Sequence, residues 1–204
     1  MYLVYLIGNL ASGKSSVAHL MREHGAAIID LDEVSREVLA PTSSLLFRVV
    51  DEFGKDLIDP HTGLLDRGLL ARRAFACPKS AARLEALELP AIKEALLGHL
   101  KELRGHTCCC VVEIPLPDRM GTLLDLADEV LEVRCPLELR RERAHQRGME
   151  EGDFERRAAR QLSDADLSDL ADTFIDNGDG RDKLVQQINA WWDRHEALRW
   201  QRKV

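Results

Sequence analysis

The sequence has no surplus of positive charge: 28 Lys and Arg stand against 35 Asp and Glu, for a formal net charge of −7. Affinity for a nucleic-acid backbone rests on many Lys and Arg contacts, so a general nucleic-acid binder is excluded. Any anionic ligand must then be met by local positive charge. Long hydrophobic runs are missing too. No stretch approaches the ~20 apolar residues that span a bilayer, and the apolar start runs into a glycine-containing loop with neither a basic leader nor a cleavage site, so a cytoplasmic location is expected. The five cysteines, Cys77, Cys108, Cys109, Cys110 and Cys135, are odd in number and contain no C-x-x-C pair. That argues against a disulfide framework and against structural zinc. Neighbours on a strand point to opposite faces, so Cys108-Cys109-Cys110 cannot converge on one ion; ahead of Val111-Val112 they read as small hydrophobes of a buried strand. Repeats, low-complexity tracts and flexible linkers are absent. The 204 residues suit one domain with an insertion better than two independent domains.

What is present is organised around Gly8-Asn9-Leu10-Ala11-Ser12-Gly13-Lys14-Ser15, which fits G-x-x-x-x-G-K-[ST] and follows the apolar run Tyr2–Ile7. Backbone N–H groups of such a loop point inward at phosphates, Lys14 adds a mobile cation, and the Ser15 hydroxyl can ligate Mg²⁺. A helix is predicted to follow, because Val17, Leu20 and Met21 keep helical spacing up to Gly25. An ordinary glycine turn between strand and helix is the bland alternative. Further on, residues 26–32 read as a short strand ending in Asp30 and Asp32. Period two sends both carboxylates to one side, and strand ends of an open parallel sheet face the ligand crevice. Asp32 can equally cap a helix beginning at Glu33.

From Pro41 to about Leu103 the pattern is mainly helical, with turn signals at Phe53-Gly54 and Asp59–Gly63, and is too long for a simple crossover. A second strand, Cys108 to Ile114, ends at Pro115. Near its end, Glu113 either helps to place Mg²⁺ through water or is a solvent-facing edge carboxylate. A third strand covers 128–133. Arg140, Arg141, Arg143, Arg147, Arg156, Arg157 and Arg160 then cluster within twenty-one residues. Pairing with Glu138, Glu142, Glu150, Glu151 and Glu155 at helical spacing accounts for about half of them. The others can fork onto triphosphate, with Gly148 and Gly152 permitting a hinged lid. A last short strand runs into Asn177-Gly178, which is also simple turn chemistry. Leu184, Val185, Ile188, Trp191, Trp192, His195 and Leu198 space a closing amphipathic helix, so the two tryptophans are packing residues.

Taken with Phe53-Gly54, Leu65-Asp66-Arg67, Phe75, Pro90, Glu113-Ile114-Pro115-Leu116, Pro136-x-Glu138, Arg143, Arg147, Gln161 and Asp176-Asn177, the phosphate loop and Asp30/Asp32 give a chain that resembles the dephospho-CoA kinases over nearly its whole length. The resemblance implies an α/β fold: a P-loop NTPase core with a parallel sheet flanked by helices (about 1–40, 104–136 and 171–204), a helical substrate-binding insertion (about 41–103) and a helical lid (about 137–170). It implies transfer of the γ-phosphoryl of ATP, with Mg²⁺, to the 3′-hydroxyl of dephospho-CoA. No nucleic-acid or membrane partner is implied, and the state is a monomer or weak homo-oligomer.

Carried over, Gly8, Ala11, Ser12, Gly13, Lys14, Ser15 and Ser16 hold ATP, with Asn177 in the turn associated with adenine. Asp32 is the proton acceptor, Lys14, Arg143 and Arg147 serve catalysis, Ser15 and Glu113 the metal, and Arg67, Phe75 and Pro115 join Asp32 on the substrate side. The chain departs from the family pattern at Ile7-Gly8-Asn9-Leu10 for Thr-Gly-Gly-Ile, Leu89-Pro90 for His-Pro, Pro117-Asp118-Arg119 for Leu-Phe-Glu, and Arg140 for a common glutamine. The last three lie in or near the expected acceptor site. They keep two other readings open: a related P-loop kinase for a nucleoside or other small alcohol, and a non-catalytic nucleotide-binding homologue.

Overall fold

The computed structural model describes residues 1–150 and 152–200. In chain order it runs β1 (Tyr2–Ile7), α1 (Lys14–Glu23), β2 (Ala27–Asp30), α2 (Leu31–Val38), α3 (Ser44–Phe53), α4 (Arg67–Ala74) and α5 (Pro78–Leu103). It continues through β3 (Cys109–Glu113), β4 (Glu129–Arg134), α6 (Leu137–Gln146), α7 (Asp153–Ala158), α8 (Asp164–Asp169), β5 (Thr173–Asp176) and α9 (Arg181–Ala197). The chain divides into two compact units, Met1–Asp30 with Glu102–Val204, and Leu31–Lys101.

In the first unit the described strands form a parallel sheet in the order β2-β3-β1-β4-β5. β1 is buried along its whole length, as a central parallel strand covered on both faces must be. The strand order reverses on either side of β1, so its carboxyl end opens onto the switch-point crevice where open α/β sheets bind ligands. Its core joins Val4, Leu6, Val111 and Leu131 of the sheet to Val17 and Met21 of α1 and Ile188, Trp191 and Trp192 of α9. Both tryptophans are therefore core residues.

All five cysteines are free thiols. Cys109 and Cys110 are buried in β3 as expected, but Cys108 is exposed because the strand begins one residue later. Among the described residues, no three His, Cys, Asp or Glu side chains converge as a metal site, and no helix is long and apolar enough to cross a membrane.

The second unit packs α2 to α5 around Leu39, Leu45, Val49, Phe53, Leu57, Leu70, Ala74 and Leu84. Two N-caps set its helix starts: Ser43 Oγ accepts from Leu45 N–H before α3, and Asp66 Oδ1 accepts from Leu69 N–H before α4. The Leu65-Asp66-Arg67 element is thus partly a helix start. One expectation fails here. β2 stops at Asp30 and α2 starts at Leu31, so Asp30 and Asp32 do not alternate along one strand. Leu31 and Val34 bury one face of α2, and this helical spacing outweighs the short period-two pattern. Asp32 lies inside the first turn, not ahead of it as a cap, where its charge complements the helix N-terminus.

Candidate active site

The phosphate loop occupies the turn between β1 and α1, and its glycines are required by close approach. A Cβ on Gly13 (φ +99°) would lie 2.0 Å from Asn177 Nδ2, and one on Gly8 would lie 2.7 Å from Ser12 Oγ and 2.8 Å from the Val133 carbonyl. Ala11 adopts φ 59°, a left-handed conformation that persists in a non-glycine residue only where its surroundings hold it. α1 begins at Lys14; Ser16 and Val17 N–H donate to the Gly13 carbonyl at 3.0 and 3.1 Å, and a helix N-terminus of this kind suits an anion.

Lys14 Nζ donates to the Gly8 carbonyl at 2.6 Å, which folds the cation across the loop. Ser15 Oγ donates to Glu113 Oε2 at 3.0 Å. Glu113 ends β3 in register with Asp30 of β2. Burial pushes the Glu113 carboxyl above its ordinary range, the Ser15 hydroxyl opposes this, and the Asp30 charge adds to it. A half-buried carboxylate beside a second one is a place where a cation relieves an electrostatic cost. Hydroxyl and carboxylate oxygens also suit the hard Mg²⁺, which keeps several waters and takes few protein ligands. Ser12 is 1% exposed and its Oγ has no hydrogen-bond partner. A nucleotide with its magnesium ion fits this donor set.

Residues after β4 hold the loop. Asn177 Nδ2 donates to the Ser12 carbonyl at 2.7 Å. Arg143 donates to Asn177 O at 2.9 Å, Cys135 Sγ at 3.2 Å and Ser12 O at 3.4 Å. Arg143 and Asn177 therefore meet at Gly13, where sequence reasoning had put one over triphosphate and the other against adenine. Arg147 is exposed at the end of α6, where its backbone N–H bonds the Arg143 and Ala144 carbonyls. Ser16 is exposed in the first turn of α1. The Pro115 carbonyl accepts from Gln161 Nε2 at 3.4 Å.

The pairing expected of the other arginines holds in its partners for Arg141 and not for Arg140, Arg156 or Arg157. Arg141 bonds Glu138 and Glu155, whereas Arg156 and Arg157 share Asp153 and Arg140 bonds Asp164. Glu151 lies outside the described residues.

The second unit carries Asp32, Arg67 and Phe75, whereas Pro115 belongs to the first. Arg67 opens α4, and its Nη2 donates to the Arg36 carbonyl at 3.1 Å. Burial lowers the Arg67 pKa, and the Glu88 charge opposes that effect. Glu88 itself is pushed up to about 7 by burial. It was not foreseen, because an isolated Glu within a helical run gives no signal until the neighbouring helices bury it. Phe75 caps the end of α4 and is 41% exposed.

Residues 2–182 match the family model for dephospho-CoA kinases. The chain belongs to the dephospho-CoA kinase family. The dephospho-CoA kinase of Corynebacterium diphtheriae is 37% identical over 196 residues, covering 95% of this chain and 97% of that protein. Among solved structures, a Thermus thermophilus protein superposes with a TM-score of 0.79 at 27% identity, covering 95% of this chain and 97% of that one. The fold is also that of the dephospho-CoA kinase from Campylobacter jejuni, with a TM-score of 0.72 at 22% identity over 94% of this chain and 96% of that one. As a member of this family the chain is an ATP-using kinase with a small-molecule substrate.

Proposed function

We propose that the protein transfers the γ-phosphoryl of ATP to the 3′-hydroxyl of dephospho-CoA, giving coenzyme A and ADP. What supports this reading is the family match over residues 2–182, joined to a phosphate loop in which Lys14 bonds the Gly8 carbonyl and Ser15 bonds Glu113. Phosphoryl transfer asks for positioning and charge stabilisation more than for covalent chemistry. Lys14 swings from Gly8 O onto the β/γ-phosphates, and the Ser12 hydroxyl and first-turn amides bind their oxygens. Ser15 and Glu113 would hold Mg²⁺, whose charge would offset that of the phosphates. Asp32 takes the proton of the 3′-hydroxyl as that oxygen bonds to the γ-phosphorus and the bond to the β–γ bridging oxygen breaks, with ADP leaving.

Arg143 and Asn177 keep the loop in shape against the nucleotide. Arg147 is the exposed lid cation, and Arg67, Phe75 and Pro115 serve the acceptor. The protein acts in the cytoplasm on free small molecules, without nucleic acid, as a monomer or weak homo-oligomer. Initial rates of ATP consumption with dephospho-CoA, adenosine, deoxynucleosides and pantetheine derivatives test the proposal. Dephospho-CoA should give by far the highest rate. A deoxynucleoside that wins points to a different P-loop kinase, and ATP binding without turnover of any acceptor points to a non-catalytic homologue.

A further inference from the structure

The phosphate loop is gripped from two sides, and Arg143 with Asn177 supplies only one grip. On the other side Asn9 Nδ2 donates to Asp164 Oδ1 at 2.5 Å, and Leu10 N–H donates to Gln161 Oε1 at 2.6 Å. Asn9 and Leu10 are positions that the loop motif leaves free, and both partners come from the start of α8 or just before it. Asp164 also accepts from Arg140 Nη2 at 3.0 Å through each oxygen. Arg140 is 5% exposed and Asn9 7%. A buried amide and a buried guanidinium each need a partner, and one carboxylate supplies both.

We propose that Asp164 is a positioning residue for the phosphates of ATP, acting through Asn9. The loop's amides converge on phosphate along one backbone path only, and the left-handed Ala11 lies two residues after Asn9. Such a conformation depends on restraint from outside. Beside the grip is a cavity of about 230 Å³, lined by Asn9, Ser12, Arg140 and Asp164 among others. The loop therefore has room to relax when the restraint is lost. With Asp164 in place, Asn9 is held and Ser12 keeps its place; without it, Asn9 has no acceptor and the loop settles toward the cavity. The alternative is that Asp164 is only the counter-ion of Arg140, and the two roles separate by experiment.

This inference rests on the loop being the ATP site, so the test uses ADP·Mg²⁺ binding by calorimetry alongside turnover with dephospho-CoA. Asn9→Ala, which leaves the Arg140–Asp164 pair intact, should weaken ADP binding about tenfold, and Asp164→Ala should do the same. The double variant should be no weaker than either single one. Asp164→Asn keeps an acceptor oxygen and should restore near-normal affinity, most fully with Arg140→Gln. KM for ATP should rise while KM for dephospho-CoA stays unchanged, a split that general loosening of the fold would not produce. Asn9→Ala binding ADP as the native protein does, or losses that multiply in the double variant, would overturn the proposal. Should Asp164→Ala fail to fold, Asn9→Ala still decides. Should the native protein bind ADP yet ignore dephospho-CoA, the functional assignment fails while the affinity comparison still judges the grip.

Discussion

Replacing single side chains separates the cradle from the chemistry. Lys14→Ala removes the cation that now bonds Gly8 O, so ATP binding and turnover should fall together in calorimetry and steady-state kinetics. Asp32→Asn should leave ATP affinity nearly unchanged and lower kcat by roughly the 10²–10⁴-fold of a lost general base. A fall in the melting temperature with normal kcat would instead mark Asp32 as a group that only stabilises the first turn of α2. Arg143→Ala should raise KM for ATP as well as lower kcat, because it abandons Ser12 O and Asn177 O together. Arg143→Lys should not rescue it, since one ammonium cannot reproduce the fork. Arg156→Ala and Arg157→Ala break exposed pairs with Asp153 and should leave the kinetics unchanged.

At this scale the loop itself was legible, because four fixed residues dictate a local backbone path. The contact of Asn9 with Asp164 was not, since its partners lie 155 residues apart. Nor was the engagement of Arg143: a run of arginines announces charge, but only the fold decides which of them is spent on a carbonyl.

Among the elements, the docking of α9 on the sheet has a built-in pH dependence. Buried Glu129 at the start of β4 accepts from His195 Nε2 at 2.8 Å, Trp191 Nε1 at 3.0 Å and Tyr2 OH at 3.1 Å, and also from Thr173 Oγ1. His195 Nδ1 faces the Trp191 carbonyl at 2.8 Å. Both ring nitrogens thus face acceptors, an arrangement that favours the imidazolium form. Burial pulls the His195 pKa down, but bonds to Glu129 and the Trp191 carbonyl outweigh it and raise the pKa. Burial likewise pushes Glu129 up, and its hydrogen-bond donors more than reverse that and hold it well below the carboxylate range.

A raised histidine contributes fully below its unfolded value of about 6.5 and loses that contribution as pH rises through the folded value. A depressed carboxylate contributes above its unfolded value of about 4.3 and loses that contribution as pH falls through the folded value. Thermal unfolding should therefore show this contribution at its fullest between those two values and declining above the upper one. His195→Gln should flatten the decline on the alkaline side; an unchanged pH profile in that variant would show that the pair does not govern it. The helix was legible from its apolar spacing. The ion pair was not, because His195 occupies an ordinary core position of the pattern and Glu129 lies in a strand 66 residues earlier. The strand over 26–32 ended early for another reason: its last two positions, Leu31 and Asp32, already belong to α2, whose buried face is set by Leu31 and Val34.

For the molecule as a whole, the sheet order places the loop at its switch point, and the second unit begins at Leu31. The helical character of the stretch from about Pro41 was legible from its periodicity. The helix that precedes it was legible only as a run after Asp32, because α2 follows β2 without an intervening loop to mark the change. If Arg67 serves the acceptor as proposed, changes at Arg67 should raise KM for dephospho-CoA while leaving ADP binding as it is in the native protein. The most direct measurement of the central claim follows the label. With γ-labelled ATP and dephospho-CoA, the product resolved by mass spectrometry should be coenzyme A carrying one labelled phosphoryl group on the ribose 3′-oxygen. Label recovered only as inorganic phosphate, or on a nucleoside offered in competition, would contradict the account.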